Sequence, residues 1–99
     1  MQSFYPERFE REMGCTEAEW LRWLPEAIGD HFWKLQPQSA GVRIGEGALG
    51  LKWHPGEPRV IALLNMPRLL VSFRFAGLDE AQRYVFMKRF DLYMQRGGG

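Results

Sequence analysis

The sequence predicts an α+β fold: an antiparallel β-meander of three to four strands, packed with an N-terminal helix and a long C-terminal helix. Three observations carry this. Leu69, Val71, Phe73 and Phe75 alternate with Leu70, Ser72 and Arg74, the period of a strand with one buried face. Thr16-Glu17-Ala18-Glu19 is a capping box set directly before Trp20 and Leu21, which marks a helix start. From Leu78 to about Gln95 the apolar residues follow a helical period. Strands and helices segregated in this way within one short chain fold as helices packed on an antiparallel sheet.

Residues 1–14 show no clean period. Phe4, Tyr5 and Phe9 are apolar anchors, Pro6 opposes a helix, and 7–13 offers a short helical turn closed by Gly14. Segments 1–14 and 96–99 are therefore expected to be flexible or loosely packed, within one domain spanning 1–99. The capping box at Thr16 contributes about 1 kcal/mol to the first helix. Trp20, Trp23 and Leu24 share a face with Ala27 and Ile28. Pro25 lacks an N–H and disfavours helical geometry at Leu24, so a break is expected there, with Pro25 opening a second short helix.

His31–Ala40 reads as a connector anchored by Phe32, Trp33 and Leu35. Residues 42–44 make a short strand, 45–47 a glycine turn, and Leu49, Leu51 and Trp53 the inward side of the next strand. The two prolines and glycine of 54–58 end it in a loop. Residues 59–75 then read as a hairpin turning at 65–68. Val60 to Leu64 is apolar at every position, as in a central strand covered on both faces. The expected register sets Leu64 opposite Leu69, Ala62 opposite Val71 and Val60 opposite Phe73. Ile61, Leu63 and Leu70 then share the second sheet face with Lys52, Ser72 and Arg74. In the last helix, Leu78, Ala81, Val85 and Leu92 line one face, with Phe86, Phe90, Tyr93 and Met94 around the side. That apolar arc is wider than one sheet contact needs. Gly97, Gly98 and Gly99 read as a flexible end.

Ninety-nine residues, 45% hydrophobic and 14% aromatic with four Trp and seven Phe, suffice for one core. The lone cysteine excludes an internal disulfide and a cysteine-based zinc site, and fits a reducing compartment. The first residues carry no apolar signal core, and no run approaches the ~18 apolar residues of a membrane span. The expectation is a cytoplasmic protein with no membrane partner. The net charge of +1 conceals an asymmetry. Residues 1–31 hold seven acids and three bases, and residues 32–99 hold ten bases and five acids. The acidic part either lies against the basic remainder or leaves a basic surface for an anionic partner.

Cys15 precedes the helix N-terminus, which favours a thiolate, while Glu12, Glu17 and Glu19 oppose one. Its only imidazole partners are His31 and His54, so a thiol-dependent enzyme is one reading and a buried small hydrophobe the other. Asp30 and His31 have no third ligand at metal-binding spacing, so no metal or cofactor is expected. Lys52, Arg59, Arg68, Arg74, Arg83, Lys88, Arg89 and Arg96 permit a nucleic-acid-binding reading on the basic C-terminal two-thirds. Against it, VSFRFAG does not match the ribonucleoprotein octapeptide, and the isoelectric point near 7.9 falls short of about 9. The reading that best fits the half-apolar second face is a small interaction or ligand-binding domain that self-associates as a homodimer. Its candidate binding residues are Lys52, Ile61, Leu63, Leu70, Arg74, Phe86 and Phe90.

Overall fold

A computed structural model describes residues 4–96, so the terminal segments 1–3 and 97–99, the terminal glycines among them, lie outside the described residues. The chain runs β1 (Arg8–Met13), α1 (Glu17–Ile28), β2 (Trp33–Gln36), β3 (Ser39–Ile44), β4 (Gly47–Pro55), β5 (Arg59–Ile61), β6 (Leu64–Met66), β7 (Leu69–Ala76) and α2 (Glu80–Arg96). Five strands form one antiparallel sheet in the order β1-β7-β4-β3-β2, and β5 and β6 form a separate two-stranded ribbon. The α+β class holds. The meander is β2-β3-β4-β7, and β1 adds a fifth strand beside β7.

Alternation along the strands decides the layers. Ala40, Val42, Leu49, Leu51, Val71 and Phe73 are buried on one face. Both helices lie on that face. Trp20 of α1 sits 5.5 Å from Trp53, and Phe90 of α2 sits 5.6 Å from Phe73 and 5.9 Å from Trp20. One aromatic cluster thus joins sheet, α1 and α2. The indole N–H of Trp53 donates to Glu17 at 2.9 Å and ties β4 to the first turn of α1. The capping box forms in full: Glu19 N–H donates to the Thr16 hydroxyl at 3.1 Å, and Thr16 N–H to Glu19 at 2.9 Å.

Four expectations change. First, α1 runs unbroken through Pro25. Proline deprives the Leu21 carbonyl of its partner, but Leu21 and Pro25 both lie on the exposed side, where water substitutes. Trp20 and Leu24 before the proline and Ala27 and Ile28 after it continue one buried stripe, and that packing holds the helix.

Second, residues 8–13 are extended, not a helical turn. Residues 8–13 form an edge strand, with Phe9 stacked on Phe73 at 4.6 Å. Phe9, Arg11 and Met13 point inward, and the charged Arg11 among them masks the alternation. Arg11 pairs with Asp91 and lies 5.3 Å over the Phe73 ring. Likewise, much of the expected connector is β2 and the start of β3. Trp33 and Leu35 oppose Val42 and Ala40, across a turn that holds Gln38 at φ 60°.

Third, residues 59–75 are not one hairpin. β7 pairs with β4, setting Trp53 opposite Val71 and Lys52 opposite Ser72, while β1 takes its other edge. With both edges of β7 occupied, residues 59–66 fold back on themselves, pairing Ile61 with Leu64 and Arg59 with Met66. The true hairpin is β4–β7, closed by Gly56 N–H donating to the Arg68 carbonyl at 2.9 Å.

Fourth, α2 buries Arg83, Phe86, Met87, Phe90 and Met94 and turns Ala81, Val85 and Leu92 outward. The aromatic stripe covers more area than the aliphatic one, so it wins the sheet.

Candidate functional site

The seven expected binding residues separate into three places. Lys52, Leu70 and Arg74 lie on the uncovered face of the sheet, Ile61 and Leu63 lie on the ribbon, and Phe86 and Phe90 lie in the core at 4% and 0% exposure. The two phenylalanines are therefore corrected from surface to core. They stack at 5.8 Å, and Phe90 also meets Trp20 and Phe73. The inward part of the apolar arc of α2 meets the sheet and α1 together, while Ala81, Val85 and Leu92 remain exposed.

The ribbon exposes Val60, Ile61, Leu63, Leu64 and Met66, with Leu63 at its tip fully exposed. A central strand would bury these residues. Here Pro55, Gly56 and Pro58 stop β4 from continuing, and both edges of β7, the strand that follows the segment, are already taken by β4 and β1. Its turn sets Ala62 at φ 54°, a left-handed value that an L side chain adopts at a cost. Charges hold its base. Glu12 on β1 accepts from Arg59 at 3.0 Å and from Arg68 at 2.8 Å, and the Arg68 bond keeps the Glu12 carboxyl below the ordinary carboxylate range. Arg68 also donates to the Glu57 carbonyl at 3.1 Å.

The uncovered sheet face has a different character. Gly41 on β3 and Gly50 on β4 lie directly opposite each other, and Gly50 in turn opposes Arg74 on β7. A side chain at Gly41 would meet nothing within 4 Å, and one at Gly50 would touch only the Arg74 carbonyl at 3.8 Å. The glycines thus floor a recess of about 480 Å³, walled by Phe32, Lys34, Arg43, Lys52 and Arg74. Phe32 is 67% exposed. Among the described residues none of these four cations enters an ion pair. Toward β1 a second recess continues past Lys52, His54, Leu70 and Glu10. The signal for this floor was in the sequence: Gly41 and Arg43 alternate with Val42 and Ile44, and Ala48, Gly50 and Lys52 with Leu49, Leu51 and Trp53. With 31–40 read as a connector, Phe32 and Lys34 share no face with Gly41 and Arg43.

Cys15 is fully buried in the core cluster. Burial pushes its thiol up to about 11, and the neighbouring Glu19 carboxylate adds to the rise, so the helix N-terminus does not prevail. His31 lies beyond the C-terminal end of α1, against Phe86 at 5.4 Å. Cys15 precedes the other end of that helix, a length of about 18 Å for its 12 residues. His54 belongs to the uncovered face, so the sheet stands between it and Cys15. The three candidate catalytic residues are not assembled. Among the described residues no three His, Cys, Asp or Glu side chains gather as a metal site, and no helix is long and apolar enough to cross a membrane.

Comparison with protein-family models, with curated proteins and with solved structures found no match.

Proposed function

We propose that the protein is a binding module that self-associates through the β5–β6 ribbon, one copy's ribbon laid against the same ribbon of a second copy. The observation that carries this is the exposure of five large apolar side chains on one projecting element. A two-stranded ribbon is marginal by itself in water and gains stability from a neighbour. Large apolar side chains exposed together on one element are the kind of surface that marks a partner site. A second copy fits for two reasons. Both outer edges of the ribbon are free to pair, and edge-to-edge antiparallel pairing is self-complementary about a two-fold axis. The segment from Val60 to Met66 carries no charge, while Arg59 and Arg68 at its base are engaged by Glu12, so two tips approach without repulsion.

Sedimentation equilibrium across a concentration series tests the reading. The expected result is a dimer at micromolar concentration that Leu63→Asp converts to a monomer with an unchanged far-UV spectrum. A wild-type chain that stays monomeric at high micromolar concentration overturns it.

A further inference from the structure

We infer that the uncovered sheet face binds single-stranded nucleic acid along the glycine-floored recess, a function separate from the ribbon. The first support is charge. Lys34, Arg43, Lys52 and Arg74 come from four adjacent strands, β2, β3, β4 and β7, and surround one depression without internal counter-ions among the described residues. Adjacent strands lie about 4.8 Å apart, so the four charges span roughly 14 Å, the reach of a few successive phosphates. On the β1 side, Glu12 is paired with Arg59 and Arg68, which leaves Glu10 as the one unpaired carboxylate beside the recess among the described residues.

The second support is shape. Gly41 and Gly50, with Ala48, Ser39 and Ser72 beside them, put backbone rather than side chains at the bottom. A polymer can therefore lie flat on the sheet between the cations. A duplex presents a convex surface and would meet the rim alone. The third support is Phe32, an exposed ring at the recess wall on which one unpaired base can stack. Phe73 and Phe75 face the core, so this surface has one aromatic platform rather than the several of a sequence reader. Binding through backbone charge with little base preference is what such an arrangement supports.

Fluorescence anisotropy with labelled 12-nucleotide oligo-dT, with the same oligomer as duplex, and with heparin tests the proposal. Four phosphate contacts predict a slope of log affinity against log salt of about −3 for the single strand. Lys52→Ala combined with Arg74→Ala should halve that slope and weaken binding at least tenfold at low salt. Arg22→Ala combined with Lys88→Ala, which removes two helix-borne cations on the other side of the molecule, should leave binding unchanged. Phe32→Ala should weaken oligo-dT and leave heparin unaffected. Absence of saturable oligo-dT binding at 50 mM salt overturns the proposal. So does tighter binding of duplex than of single strand, an equal loss for both double variants, or a Phe32→Ala variant that binds both polymers as the wild type does. Repeating the titration in the Leu63→Asp background separates this result from self-association.

Discussion

The Tyr5 hydroxyl donates to Asp91 at 2.7 Å, joining the segment before β1 to the middle of α2 across 86 positions of sequence. Arg11 reaches the same carboxylate from β1, so the first strand is fastened to the last helix as well as to β7. Burial, then the hydrogen bond to Asp91 and its charge, push the Tyr5 hydroxyl up to about 12. The unfolded chain releases that proton near 10. Between those values the folded state holds the proton and the unfolded state does not. The contribution of Tyr5 is therefore complete below pH 10 and is lost as pH rises toward 12. Urea midpoints measured from pH 9 to 11.5 should fall in the wild type and fall less in Tyr5→Phe. Parallel curves would show that Tyr5 is not the titrating group. At pH 7 the variant should lose about 1 kcal/mol, the worth of one hydrogen bond.

Cys15 has a test of its own. A fully buried thiol held near 11 offers iodoacetamide almost no thiolate at pH 8. Labelling should therefore be negligible in the native protein and rise with urea in step with the loss of the far-UV signal. Rapid native labelling would show that the N-terminal end of α1 opens, and would restore a thiol-based reading.

The two stripes of α2 make opposite predictions. Phe90→Ala removes a ring packed against Trp20, Phe73 and Phe86 and should cost about 3–5 kcal/mol. Val85→Ala trims an exposed side chain five positions earlier and should change stability by less than about 0.5 kcal/mol. Urea denaturation of the pair reports which stripe is buried. Comparable losses would mean that α2 is rotated from the arrangement described.

At the ribbon tip, Ala62→Gly removes the Cβ from a left-handed backbone position, a gain of roughly 1 kcal/mol for the turn. Hydrogen exchange at residues 59–66 should slow by about fivefold, with little change in the global unfolding midpoint, because the gain is confined to the ribbon. Faster exchange would mean that flexibility at glycine outweighs the relief of strain.

What could be read from the sequence follows from how far apart the deciding residues lie. The capping box at Thr16, the inward series Leu49, Leu51, Trp53 and the alternation from Leu69 to Phe75 are local, and all three stand in the fold. Pro25 misleads because its local cost is outweighed by a stripe of contacts that only the assembled helix makes. The strand at 8–13 was hidden because Arg11 faces inward, made acceptable by Asp91, 80 positions away. The apolar run at 60–64 gave the largest error. Apolar character marks a residue as avoiding water but does not say which strand it pairs with. β4 and β1 occupy both edges of β7, so the run cannot form the hairpin with β7 and pairs within itself instead. The local alternation of β4 and β7 puts Lys52 and Arg74 on the uncovered face, whereas Phe86 and Phe90 are core because α2 packs on the sheet and α1 with its aromatic stripe.

The pairing of β1 with β7 sets the order in which the molecule can form. Met13 and its register partner Leu69 are 56 residues apart, and every residue of β1 waits for a partner from β7. The four-stranded meander can assemble from hairpin contacts made early, since β2, β3 and β4 follow one another closely. β1 is thus among the last strands of this sheet to be incorporated, and closing so long a loop places its docking late on the folding path. Its outward residues, Arg8, Glu10 and Glu12, are all charged. An edge strand that must wait unpaired is thereby protected from joining the wrong chain in the interval.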